Sequence, residues 1–232
     1  MNKIGWIIFS VVVVLLLGGL IAWTRITNPP IDVTSVENNS VIAASDQNGN
    51  IADHVKGSDA KEVLFIEYGD YQCPSCGGAF PNVKTLLEEY EDVTFVFRNF
   101  PLTSIHPNAR AAAAVAEAAG LQGKFWEMHD VLYGKQNDWS SLNASQRTTV
   151  FNSYARDLGL DMAKFEADVA GKQTAAKVNF DLALGKSVDV SATPTFFLNG
   201  EVLDDATASA IVQGDLTAIR AKLDTLLGTT EE

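Results

Sequence analysis

The stretch LFIEYGDYQCPSCGGAF, residues 64–80, decides the fold, because its hydrophobic period changes at one point and it holds both cysteines of the chain. Val63 to Tyr68, VLFIEY, is a nearly continuous apolar run, the pattern of a strand buried on both faces. Past Gly69 the period lengthens. Pro74 suits a first helical position, and Phe80, Val83, Leu86, Leu87 and Tyr90 recur at three- and four-residue intervals, so a helix is expected over about 74–90. DVTFVFRNF, residues 92–100, is β-branched and aromatic, a second strand. Strand, helix and strand in this order form a βαβ unit with parallel strands.

Working outward, NARAAAAVAEAAG (108–120) and KFWEMHDVLYG (124–134) read as helices stopped by Gly120 and Gly134. Three more helical patterns lie near 145–158, 161–170 and 172–186, with Ser145 and Asp161 as expected caps. ATPTFFLNGEVLDD then gives strands Thr195–Leu198 and Glu201–Leu203 joined by Asn199-Gly200, an antiparallel hairpin. A final helical region covers about 207–227, interrupted near Gly214, and a frayed tail covers 228–232. Because so short a hairpin needs other strands to cover it, one mixed α/β sheet is expected, with helices on both faces and a helical insertion at about 104–188.

Residues 4–23 hold no charged side chain, and at 1.5 Å of rise per residue they reach roughly 30 Å, a bilayer's hydrocarbon thickness. Trp6 and Trp23 sit at the two ends, with Lys3 and Arg25 outside them. Residues 1–24 are therefore read as an uncleaved single-pass anchor rather than a cleaved signal, with the rest of the chain on the extracytoplasmic side of the plasma membrane. Residues 25–56, rich in Asn, Ser, Asp and Pro, read as a linker, with a first strand or short helix packed on the domain left open at about 51–56, and the domain proper as 57–227. Of 17 basic residues only Lys3 precedes residue 24, so 16 basic and 29 acidic groups remain, net −13. Such a surface repels phosphate backbones and argues against nucleic acid as a partner.

Cys73 and Cys76 could supply half of a zinc site, but no second cysteine pair exists, and His54, His106 and His129 are scattered in sequence. No metal and no cofactor is expected. A structural disulfide here would close so short a loop that it removes little chain entropy. A redox pair suits the position better. Cys73 lies at the mouth of a helix, where unpaired N–H groups favour a thiolate, whereas Cys76, one turn in, is expected to be more buried and to keep a high pKa. Glu67 interrupts the apolar strand. As a buried carboxylate of raised pKa it could accept the Cys76 proton; the alternative is an edge strand with Glu67 in solvent.

Taken together, Glu67, CPSC at 73–76, FRNFPL, HPNARAAAAVAEAAGLQGKFWEMHDVLY and VSATPTFFLNG resemble the DsbA-type thiol-disulfide oxidoreductases of the thioredoxin superfamily, in their membrane-anchored bacterial form. The resemblance covers about residues 50–227. It implies a thioredoxin fold with a helical domain inserted between its βαβ and ββα halves. It further implies catalysis by Cys73 and Cys76, redox tuning by Pro74 and Ser75, and a cis Thr193-Pro194 bond beside the sulfurs that binds extended substrate. Implied partners are reduced, unfolded exported proteins and a DsbB-like or VKOR-like membrane reoxidase. Strongly oxidising members resemble CPHC; Ser75 offers no positive charge, so a milder oxidant is expected. A reductase or isomerase of the same fold, or a redox-inactive chaperone module, are the alternatives.

Overall fold

The computed structural model describes residues 3–27, 31–57 and 63–229. The chain divides into two units, residues 1–32 and 33–232. In the first, α1 (Lys3–Thr27) is one continuous apolar helix. Its 25 residues reach roughly 37 Å at 1.5 Å each, long and apolar enough to cross a membrane by length and composition.

The second unit is built on β1 (His54–Gly57), β2 (Val63–Gly69), β3 (Val93–Asn99), β4 (Thr195–Leu198) and β5 (Glu201–Val202), in the order β1-β3-β2-β4-β5. β2 and β3 are parallel around α2 (Pro74–Glu89), and β4 runs antiparallel to both β2 and β5. β2 is thus central, which is why every residue in it is buried. Alternation sorts its side chains. Phe65 and Glu67 share one face with Phe95, Phe97 and Phe196, while Leu64, Ile66 and Tyr68 pack on the other face with Val96 and Phe197.

Between β3 and β4 lie α3 (Ala109–Gly120), α4 (Phe125–Gly134), α5 (Gln136–Trp139), α6 (Ala144–Asp157), α7 (Met162–Val169) and α8 (Lys172–Ser187). Methyl side chains at Ala112, Ala116 and Ala119 are wholly buried, so the alanine-rich sequence of α3 lets its neighbours approach closely. α9 (Asp205–Gln213) and α10 (Thr217–Leu227) close the chain, separated at Gly214 in the left-handed region (φ 86°). The result is the mixed sheet with a helical insertion that the sequence implies, in a thioredoxin fold.

Two expectations need correction, and one element is added. Residues 33–56 are not a free linker: Val33, Asn48, Ile51 and Asp53 are buried, and β1 pairs antiparallel with the edge of β3. A buried ion network ties this segment to the sheet and the insertion. Asp53 bridges Arg98 and Lys177, both at 2.8 Å and all fully buried, and Arg98 Nη2 also donates to the Ser40 carbonyl at 2.7 Å. The cap of α6 is Asn143, whose side chain accepts from the Gln146 amide at 3.1 Å, rather than Ser145, whereas Asp161 caps α7 as expected. The four-residue α5 was not anticipated, being too short for a period. Residues 28–30 of the expected linker and 230–232 of the expected tail lie outside the described residues.

Burial alone would raise the Asp53 carboxyl, but Lys177 and Arg98 outweigh it and hold it at about 2. Asp53→Ala would leave the buried Arg98 without a carboxylate and Lys177 with Asp181 alone, so a loss of about 3–5 kcal/mol is expected in urea denaturation at pH 7. Because the folded pKa lies below the ordinary 3.8, this stabilisation is present above pH 3.8 and fades as pH falls through 2. The gap between mutant and wild type should therefore close in acid.

Candidate active site

The central strand delivers the chain to the site. After Gly69, the backbone N–H of Cys73 donates to the Asp70 carbonyl at 3.0 Å and that of Gln72 to Asp70 Oδ1 at 2.8 Å, a turn that sets Cys73 as the N-cap of α2. Pro74 follows at the first helical position, where its missing N–H leaves nothing unsatisfied. Both cysteines are free; Cys76 is 0% exposed and Cys73 only 7%, more enclosed than a protruding nucleophile would be. What covers Cys73 is the segment before β4. The Thr193-Pro194 bond is cis, and the Cys73 thiol donates to the Thr193 carbonyl at 3.3 Å.

The two sulfurs are driven in opposite directions. A hydrogen bond from the Cys76 thiol is the largest influence on Cys73; with support from Thr193 and the backbone amides of Cys76 and Ser75 it outweighs burial and lowers the pKa to about 5. The Thr193 carbonyl can only accept, so it serves the thiol form. The Thr193 hydroxyl, buried and otherwise unpartnered, is the group able to donate to the thiolate. Cys76 is pushed well above its ordinary value by burial first, then by its bond to Cys73 and the charge of Glu67.

Glu67 lies on β2 between Phe97 and Phe196, 3% exposed, so the edge-strand alternative does not hold. Burial, with a smaller push from the Cys73 charge, raises its carboxyl to about 8. The Glu67 charge is among the influences that raise Cys76, so the carboxyl and this thiol are electrostatically coupled, and a carboxyl raised toward the thiol range is suited to take or give a proton there.

Several supporting groups were not legible in the sequence. Asp70, nearly fully buried, accepts from the Leu102 amide and pairs with His106 Nδ1, both at 2.8 Å, which ties the turn to the chain after β3. Gln136 on α5 donates to the carbonyls of Tyr71 (2.7 Å) and Cys73 (2.9 Å), and a Cβ on Gly77 would meet its Oε1 at 2.8 Å. Gln72 reaches back to the insertion, donating to Ser140 O at 2.7 Å and accepting from Asn108 N at 2.6 Å. The one local hint was the glycine that follows CPSC. Beside the sulfurs opens a groove of about 510 Å³ lined by Ser75, Thr193, Pro194, Asp205, Ser209 and Gln213. Among the described residues, no group of three or more His, Cys, Asp or Glu side chains could hold a metal ion, and each histidine pairs with a carboxylate.

The chain matches the family model described as Thioredoxin over residues 49–215. A Na(+)/H(+) antiporter NhaA 1 of Salinispora arenicola is 42% identical over 148 residues, 64% of this chain and 22% of the antiporter. The chain thus spans about a quarter of the length of the curated relatives it matches. Among solved structures, BdbD from Bacillus subtilis superposes with a TM-score of 0.63 at 23% identity, covering 82% of this chain and 99% of that one. The thiol-disulfide exchange protein alpha-DsbA2 from Wolbachia pipientis gives 0.63 at 19% identity, covering 78% and 90%. At these identities the two structures establish the shared fold.

Two titrations check the electrostatics. In the reduced protein, thiolate absorbance should report Cys73 with a midpoint near 5, and Cys76→Ala should raise that midpoint, because it removes the largest donor. Glu67, raised from 4.5 to about 8, contributes stability that is complete below pH 4.5 and lost as pH rises through 8. The stability of Glu67→Gln relative to wild type should accordingly climb by a few kcal/mol between those values and then level off, as read by urea denaturation across pH.

Proposed function

The chain belongs to the thioredoxin family, and from that premise we propose that it is an extracytoplasmic thiol-disulfide oxidoreductase that introduces disulfides into exported proteins through Cys73 and Cys76. The observation that carries this reading is the placement of two free thiols one turn apart, Cys73 at the N-cap of α2 against the Thr193 carbonyl and Cys76 fully buried behind it, with the buried Glu67 on the adjoining strand; the opposed shifts of the two sulfurs, Cys73 down and Cys76 up, follow from it. A thiolate of a reduced substrate attacks Cys73 of the disulfide, and Cys76 leaves with the electron pair, taking its proton from Glu67. A second substrate thiolate then attacks the substrate sulfur of the mixed disulfide and expels Cys73, which departs readily because its thiolate is stabilised. The substrate loses two electrons and the protein holds a Cys73 thiolate and a Cys76 thiol.

Regeneration runs the protons backwards: Glu67 accepts the Cys76 proton as that sulfur closes on Cys73. A DsbB-like or VKOR-like membrane protein takes up the electrons. The backbone at Thr193, already against the sulfur, pairs with extended substrate in the manner of an added strand, so recognition is broad. The apolar α1 acts as the anchor that keeps the domain near such a partner. The 42% identity to part of an antiporter supports work at a membrane.

A reductase or isomerase is the second reading, favoured by Ser75, which is exposed and adds no side-chain charge to Cys73. Trapping thiols in intact cells separates the two: a mostly oxidised pair fits the oxidase, a mostly reduced pair the reductase. In vitro, Cys73→Ala should abolish disulfide transfer to a reduced secreted protein, and Cys76→Ala should accumulate the mixed disulfide. A wild-type chain that transfers no disulfide to that protein would leave only the redox-inactive module.

A further inference from the structure

Four polar atoms in the core beside the site are buried and have no hydrogen-bonding partner among the described residues: Glu67 Oε1, Tyr71 Oη, His129 Nε2 and Tyr133 Oη. Their rings interlock, with centroids 4.9 Å apart for Tyr71 and Tyr133, 5.1 Å for His129 and Tyr133, and 5.7 Å for Tyr71 and His129. Glu67, His129 and Tyr133 also line one cavity of about 10 Å³, whose more exposed walls are Lys84, Lys56 and Asp130. A void of roughly 10–15 Å³ admits a single water when two to four polar groups face it. An orphaned buried polar atom otherwise costs roughly 1–3 kcal/mol.

We infer that this cavity is a water site, and that its water with His129 and Asp130 forms the proton path between Glu67 and solvent. His129 Nδ1 lies 3.0 Å from Asp130 Oδ1. Since a carboxylate can only accept, Nδ1 carries the proton and Nε2 presents a bare lone pair to the interior. Burial lowers the imidazole pKa, so it is neutral at rest. The groups facing it are Asp130 on its own helix, Lys56 and His54 from β1, Lys84 from α2 and Glu67 from β2. Asp130 is half-buried and hands protons to bulk water.

This inference rests on the proposed exchange chemistry and completes its proton balance. When Cys76 closes on Cys73, its proton passes to Glu67, from Glu67 to the water, and from the water to His129 Nε2 while Nδ1 releases its own proton to Asp130. The imidazole is left as the other tautomer. When the disulfide is next opened, a proton enters by the same groups in reverse, reprotonating Nδ1 from Asp130 and supplying Glu67, which then protonates the departing Cys76. Outward and inward transfers alternate, so the ring is reset each cycle without turning over. His129 acts on the sulfur only through the water and Glu67, as a positioning and relay group.

The test uses the full-length chain oxidised by glutathione disulfide, with the rate of Cys76 closure followed by quenching and alkylation. His129→Phe keeps a ring among the aromatic neighbours but removes both nitrogens. It is expected to slow closure about tenfold, below the full effect of a direct general base, and to raise the Glu67 midpoint seen in its carboxylic-acid infrared band. In a Glu67→Gln background the same substitution should add nothing. Asp130→Asn, on a partly exposed side chain, should slow closure in the same sense if His129→Phe fails to fold. Wild-type closure and an unmoved Glu67 midpoint in these variants, or an equal loss in the Glu67→Gln background, would overturn the path. A wild-type chain unable to oxidise any reduced protein would sink the proposed activity instead, and the Glu67 titration would still report on the relay.

Discussion

The contact between Cys73 and the Thr193 carbonyl joins residues 120 apart, and the architecture is arranged to make it. β4 pairs antiparallel with β2 in a register that sets Tyr68 opposite Thr195, so the two residues before β4 fall over the mouth of α2. The whole helical insertion must leave after β3 and come back to that point. Its return is fixed by Asp181 on α8, which accepts from both the backbone and the side chain of Asn99 at the end of β3, at 3.1 and 3.0 Å. Lys177 then ties α8 to Asp53 and hence to the segment before β1. A chain stretch that looks like a linker is therefore part of what holds the roof of the site in place.

Within that frame one charge controls three protons. A Cys73 thiolate raises Glu67, and a Glu67 carboxylate raises Cys76, so the site resists holding all three groups ionised. Burial acts on each of them in the same upward direction, but only Cys73 has enough donors to overcome it. The difference is positional. Cys73 stands at the helix end, where amide N–H groups are unspent, whereas Cys76 is inside the first turn, beyond their reach. Sequence spacing of three residues is what converts identical thiols into unlike ones.

Much of this was legible in the sequence because the informative features are local. β2, α2 and β3 each carry their own period, the Asn199-Gly200 turn names its hairpin, and Glu67 stands out as the acid in an apolar run. What escaped depends on partners remote in sequence. Asp53 makes its bridges to Arg98 and Lys177, 45 and 124 residues away, so nothing near it marks a buried anion. Gln136 works from a helix of four residues, and His129 reads as an ordinary residue of an amphipathic helix until β2 and the Tyr71 turn are packed against it. Polar residues that fold inward cancel one another across the chain, and hydrophobic period is blind to them.

Ser75 lacks the charge of the histidine found in CPHC members, which by resemblance implies a weaker oxidant. The geometry limits that effect. The donors that lower Cys73 most are the Cys76 thiol, Thr193 and two backbone amides, and the Ser75 side chain is exposed to solvent. The first of these exists only when the pair is reduced, because in the disulfide Cys76 has no proton to share. Stabilising the thiolate stabilises the dithiol form, and a stable dithiol form makes its disulfide the stronger oxidant. A CPSC pair can thus keep a stabilised Cys73 thiolate without help from the side chains of its dipeptide.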